Sequence, residues 1–109
     1  MKDKKLIDEE LLEYCTERQR EFINWAYTLP DDFSSLQVKD ITEKLQYGDY
    51  IAIYVLNSRE CTFRALERDR DIFDRYMNMH CYIKYITLTD IKVNDEYDNL
   101  IVVHLEVKQ

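Results

Sequence analysis

Ile101, Val103, Leu105 and Val107 put an aliphatic side chain at every second position near the C-terminus, and a period of two sends all four to one face of a β-strand. That face has to be covered. Upstream, Tyr82 to Val93 is equally rich in β-branched and aromatic residues, and Asn94-Asp95-Glu96-Tyr97-Asp98-Asn99 between the two runs is polar. Together these segments predict a C-terminal β-hairpin spanning Tyr82 to Val107 with a turn over Asn94 to Asn99. A lone ribbon is marginal in water, so helices or further strands must pack on it. Along Tyr82–Val93 the apolar phase moves from odd (Ile83, Tyr85) to even (Ile86, Leu88) and back to odd (Ile91, Val93). A bulge, or cover on both faces, produces such a change.

The upstream half supplies the cover. Asp8 can cap a helix, Glu9 and Glu10 suit its positive end, and Ile7 can staple onto Leu12. Leu11, Tyr14, Cys15, Phe22, Trp25, Ala26 and Leu29 then recur at three- and four-residue spacings, with Glu13, Glu17, Gln19, Arg20 and Glu21 on the polar side. This predicts one long amphipathic helix closed by Thr28-Leu29-Pro30, with Trp25 in the core. Ser34 to Gln37 offers a capping box, with Phe33 able to staple onto Val38, and begins a short second helix whose buried stripe is Val38, Ile41 and Leu45. Gly48 sits just past its end.

Tyr50-Ile51-Ala52-Ile53-Tyr54-Val55-Leu56 is a continuous apolar run and predicts a strand buried on both faces. After a turn at Asn57 to Glu60, the alternation of Cys61, Phe63 and Ala65 predicts a short partner strand. Glu67 to Asp71 changes sign at every residue and aligns Arg70 with Asp74 and Asp71 with Arg75, as on a third helix whose inward stripe is Ile72, Phe73, Tyr76 and Met77. The expected fold is α+β: two N-terminal helices, then an antiparallel sheet of three to four strands with one inserted helix, ending in the hairpin. A length of 109 residues accommodates one core, so residues 1–109 are read as a single domain.

Composition narrows the chemistry. Hydrophobic residues make up 46% and charged residues 34%, which excludes a disordered chain. One Gly and one Pro leave little material for phosphate-cradling loops or strained nucleophile turns. Cys15, Cys61 and Cys81 are odd in number and widely spaced, as for free core thiols in a reducing compartment. The start of the chain lacks an apolar signal core, and no stretch approaches membrane-spanning length, so a cytoplasmic protein is expected. His80, Cys81, His104 and Cys61 lack the closely spaced pairs of a zinc site. Asp95, Glu96 and Asp98 lack the alternation and central glycine of a calcium loop. No cofactor motif is present and no catalytic residue is assigned, the ingredients of a small Cys/His enzyme being only Cys81 and the two histidines.

The formal charge of −7 bears most directly on partners. Residues 1–30, 31–60 and 82–109 are each net acidic, whereas 61–81 balances to zero. Such a chain is repelled by phosphate backbones and anionic lipid and attracted to basic protein surfaces, so neither nucleic acid nor membrane is the expected partner. Tyrosine, of which there are nine, is a residue of binding surfaces and lies here among carboxylates. Asp31, Asp32, Asp49, Tyr50, Asp95, Glu96 and Asp98 are therefore the candidate protein-binding residues.

Two resemblances bear on function. In size and charge the chain is similar to small acidic inhibitors from phages and mobile elements, anti-CRISPR proteins among them. That similarity implies a non-enzymatic DNA mimic that blocks a basic, nucleic-acid-binding surface of another protein. Separately, Asp40-Ile41-Thr42-Glu43-Lys44-Leu45 followed by Ala52 and Leu56 resembles the first half of a winged helix-turn-helix, which implies a transcriptional regulator. Its recognition helix would run from about Asp49 to Ser58, with no basic residue before Arg59.

Overall fold

The computed structural model describes residues 5–45, 49–56, 62–64 and 76–108. A 3₁₀ helix, Glu9–Tyr14, precedes α1 (Glu17–Ala26) and the short α2 (Val38–Thr42), followed by β1 (Ile51–Val55), β2 (Thr62–Arg64), β3 (Cys81–Val93) and β4 (Glu96–Val107). The four strands form one sheet in the order β2-β1-β4-β3. The α+β class and the C-terminal hairpin are as the sequence predicts. The third helix up to residue 75, the Asn57–Glu60 turn and Gly48 fall outside the described residues; of its predicted inward stripe, Tyr76 is buried and Met77 half-buried.

The sheet is mixed rather than antiparallel throughout. β1 pairs with β2 antiparallel and with β4 in parallel, in a register that sets Ile51 beside Ile101 and Val55 beside Leu105. A continuous apolar run is what a central strand with a parallel neighbour requires, because both of its faces are covered. Ile51, Ala52, Ile53 and Val55 are each at most 1% exposed. Ile51–Val55 being a strand, the recognition helix implied by the helix-turn-helix resemblance is not there.

β3 and β4 pair antiparallel over their whole length, with one register shift between Ile83 and Tyr85. This bulge accounts for the first change of apolar phase: Ile83 and Ile86 both reach the core despite their odd and even numbers. The turn is shorter than the polar segment suggests. Asn94 (φ 52°) and Asp95 (φ 66°) alone connect the strands, and Glu96 already faces Val93. Left-handed conformations at both central residues match the right-handed twist of the flanking strands. Asn and Asp tolerate that region, so Tyr97, Asp98 and Asn99 belong to the strand and not to a loop.

One face of the sheet carries the core. Ile101, Val103, Leu105 and Val107 meet Ile51, Ile53, Val55, Ile83 and Ile86 there, under Phe22, Ile23 and Ala26 of α1 and Val38 and Ile41 of α2. Leu6 and Ile7 join them, with their N–H groups on the Tyr27 hydroxyl (3.1 and 3.4 Å) and the Leu6 carbonyl accepting from Ile86 (2.7 Å).

The predicted long helix is broken into two. Asp8 caps the 3₁₀ helix by accepting from the Glu10 N–H, but the chain then turns extended at Cys15 and Thr16. Thr16 starts α1 with a capping box: its hydroxyl accepts from the Gln19 N–H (3.1 Å) and the Gln19 side chain accepts from the Thr16 N–H (2.9 Å). The break rotates the buried stripe. Ile23 is fully buried, Tyr14 is 57% exposed, and Trp25 is only half-buried against the core, tilted on Phe22 at 5.6 Å. α2 also starts later than the Ser34 box suggests. Gln37 is its cap, the Asp40 carboxylate accepts the Gln37 N–H (2.9 Å), and Val38 and Lys39 donate to the Met79 and Met77 carbonyls. The Ser34 hydroxyl accepts from the Leu36 N–H, and Phe33 lies edge-on to Tyr82 at 5.0 Å instead of stapling α2.

The buried positions rank two substitutions in α1. Ile23→Ala is expected to cost about 2–5 kcal/mol and the half-buried Trp25→Ala about 1–3 kcal/mol. Chemical denaturation of both variants checks this; a larger loss at Trp25 than at Ile23 contradicts the packing of α1 described above.

Candidate functional site

Extended strands fix how far apart the acidic residues lie. Asp31 and Asp32 are exposed in the connection from α1 to α2. Four residues after Asp32, the Leu36 carbonyl accepts from Cys81, the first residue of β3. At the far end of β3, Asp98 pairs with Ile91 and Glu96 with the last residue, Val93, and Asp95 lies in the turn beyond. Thirteen residues of strand separate the two ends, a span of about 40 Å. The candidate binding residues therefore do not form one patch.

Asp49 is not a surface acid. Its side chain is 8% exposed, and the Arg18 fork holds it, Nε to Oδ1 at 3.3 Å and Nη2 to Oδ2 at 3.2 Å. Arg18 also reaches Glu21 at 3.3 Å. Around these groups Arg18, Glu21, Phe22, Trp25, Lys44 and Asp49 line a cleft of about 150 Å³, with the Lys44 ammonium 5.1 Å from the centre of the Trp25 ring. A bidentate Arg–carboxylate pair at its floor leaves little unspent charge for a ligand. Tyr50 is half-buried and sits in the left-handed region (φ 56°). Its carbonyl accepts from Gln19 Nε2 (3.0 Å) and from the Ile101 N–H (3.1 Å). Asp49 and Tyr50 build the entry to β1; they do not display it.

The remaining three carboxylates stand on a distinct feature. β1 runs alongside β4 from Ile101 onward, so among the described strands Thr89–Val93 and Glu96–Leu100 pair only with each other and form an arm beyond the four-stranded part. Asp90, Lys92 and every residue from Asn94 to Asp98 are exposed. Opposite residues of an antiparallel pair share a face, and alternate residues of one strand do too. Glu96 and Asp98 thus lie on one face, while Asp90, Lys92 and Tyr97 lie on the other. Lys92 sits 3.8 Å from Asp95 and 6.0 Å from the centre of the Tyr97 ring, which is itself 72% exposed. Tyr97 and Asp90 belong to the second face of the arm, and both escape a sequence reading that treats Asn94–Asn99 as a loop and Asp90 as one charge in an apolar run.

On the sheet face opposite the core, Tyr85 stacks on the His104 ring at 4.2 Å, Tyr54 meets it edge-on at 5.7 Å, and the Thr87 hydroxyl lies 3.0 Å from His104 Nε2. His104 Nδ1 is buried with no partner. A bare acceptor costs less than a bare donor, so the neutral tautomer protonated at Nε2 fits the site. Cys81 points to the core side beside Val107, hence away from His104, and burial pushes its thiol up to about 12. The Cys15 thiol is raised too, again by burial. Both thiols are free and protonated at neutral pH, so neither is a thiolate nucleophile. Among the described residues, no group of three or more His, Cys, Asp and Glu is placed to hold a metal ion. Among them, too, no helix is long and apolar enough to cross a membrane.

Compared with protein-family models, curated proteins and solved structures, the chain matches none.

Burial lowers the pKa of His104 from the ordinary value of 6.5. A folded-state value below the unfolded one means that the unfolded chain takes up this proton first. Stability linked to His104 is therefore complete above pH 6.5 and falls as the pH drops below it. A histidine NMR titration is expected to place the His104 midpoint below 6.5, and a midpoint at or above that value contradicts the packing of its ring.

Proposed function

We propose that this protein is a small, acidic, non-enzymatic binding module that works in the cytoplasm, and that its β-arm engages a basic surface on another protein. The observation that carries this reading is the arm: a two-stranded ribbon closed by a two-residue turn, presenting Asp90, Asp95, Glu96 and Asp98 against the single cation Lys92, with Tyr97 exposed among them. Main-chain bonds fix the ribbon before it meets anything, so little conformational entropy is lost on docking. A tyrosine adds contact area at low rotamer cost, and carboxylates steer a basic partner into encounter. Asp31 and Asp32 are a separate, weaker acidic point, and Asp49 drops out of the binding set because Arg18 already neutralises it.

The partner class that suits such an arm is a protein whose basic groove normally holds a nucleic acid, with carboxylates taking the positions of phosphates. Inhibitors that act as DNA mimics use this chemistry. The test is recovery of basic, nucleic-acid-binding proteins by the immobilised chain in three forms: wild type, Asp95→Lys/Glu96→Lys/Asp98→Lys, and Asp31→Lys/Asp32→Lys. The arm variant is expected to lose at least tenfold in recovery and the connection variant little, and duplex DNA added in excess should release the partner from wild type. Equal recovery by wild type and the arm variant contradicts the proposal.

A further inference from the structure

β3 is the last strand of the sheet, and among the described residues only part of its outer edge is covered. The Leu6 carbonyl accepts from the Ile86 N–H, and the segment Leu36–Val38 closes the edge around His80 and Cys81. Backbone polar groups alternate in direction along a strand. Since Ile86 points outward, Leu88, Asp90 and Lys92 do as well. Among the described residues, no backbone group pairs with the outward N–H of any of these three. Thr89, Asp90 and Lys92 are exposed and Leu88 is half-exposed. An open edge of this length is a template for another strand.

We propose that this edge pairs with the same edge of a second copy of the chain, antiparallel and centred on Ile91. Centring there sets Asp90 opposite Lys92 of the second copy and Lys92 opposite its Asp90. All four residues have outward-pointing main-chain groups, so each opposing pair exchanges two backbone hydrogen bonds. Directly opposed residues share a face, so the same two pairs bring carboxylate against ammonium. Neighbouring registers fail on charge or on access. Centring on Asp90 opposes Asp90 to itself, centring on Lys92 opposes Lys92 to itself, and centring on Thr89 sends Lys92 to Ile86, whose N–H the Leu6 carbonyl already occupies. The geometry thus selects one self-complementary register, as a two-fold contact demands. It uses only the edge of β3, so the face holding Glu96 and Asp98 stays open for the basic partner, and the two copies present those acids in duplicate.

Charged residues on an edge strand also serve to prevent pairing, and the test separates that role from this one. In Asp90→Lys both positions become cationic, and in Lys92→Asp both become anionic. Sedimentation of the full chain up to millimolar concentration is expected to show a reversible dimer for wild type and dimerisation weakened roughly tenfold or more for each single variant. An equimolar mixture of the two single variants should associate again, one of each, as should Asp90→Lys/Lys92→Asp with itself. Both single variants remain strongly acidic overall, so bulk attraction does not explain a restored dimer. Wild type that stays monomeric at every concentration leaves the edge guarded, or open to a strand of another protein, and overturns the proposal. Single variants that associate as wild type does, or a mixture that fails to associate, overturn it as well.

Discussion

The side-chain amide of Gln19 fastens α1 to the sheet, and the geometry of both depends on it. It is fully buried, and each of its groups is used. The oxygen accepts the Thr16 N–H, while the two amide hydrogens go to the carbonyls of Tyr50 and Asn99, each at 3.0 Å. A buried amide is tolerable only when satisfied in this way. Those two carbonyls belong to the entry of β1 and to β4 just before the two strands begin their parallel pairing. Tyr50 takes up a left-handed conformation there (φ 56°), at a cost of about 1–3 kcal/mol for a bulky residue. Its carbonyl thereby reaches Gln19 and the Ile101 N–H together. Asn99 continues the junction by donating from Nδ2 to the Tyr14 carbonyl at 2.9 Å, which ties in the end of the 3₁₀ helix.

This junction also divides the acidic residues by role. Asp49, one residue before Tyr50, is drawn into the Arg18 fork and serves the attachment of α1 to β1. On the other side of the junction β4 loses β1 as a neighbour, and among the described strands the ribbon that continues past it pairs with β3. Among the described residues, the cation beside its exposed carboxylates is Lys92, 3.8 Å from Asp95. An exposed pair at that distance contributes little, so most of the arm's negative potential faces solvent.

Much of this fold can be read from local pattern. The alternation over Ile101–Val107 marks β4, the apolar run around Ile53 marks β1, and the phase change after Ile83 marks the bulge, because each is a consequence of side chains alternating between two faces. What local pattern misses has a common cause. Gln19 falls on the polar side of a helical stripe that runs through Cys15 unbroken, yet its partners lie 31 and 80 residues away. No spacing rule reports contacts of that range. Asp49 is the same case, its charge being spent on Arg18 across 31 positions. The helix break did have a local signal, the Thr16…Gln19 capping box, which the continuous apolar spacing overrode. In the candidate site, Asp95, Glu96 and Asp98 were legible as acids, but their place on a rigid arm rests on Asn94-Asp95 forming the whole turn. Once Glu96 is assigned to a strand, the exposure of Tyr97 follows.

Gln19 thus joins α1, β1 and β4. Gln19→Leu keeps most of the volume and removes the amide, leaving the Thr16 N–H and the Asn99 carbonyl without partners and the Tyr50 carbonyl with one bond. Urea denaturation of this variant beside Arg20→Leu, an exposed neighbour on the same helix, is the most direct measurement. The expected result is a loss of about 2–4 kcal/mol for Gln19→Leu and less than about 0.5 kcal/mol for Arg20→Leu; equal stability of the two variants would contradict the role given to Gln19.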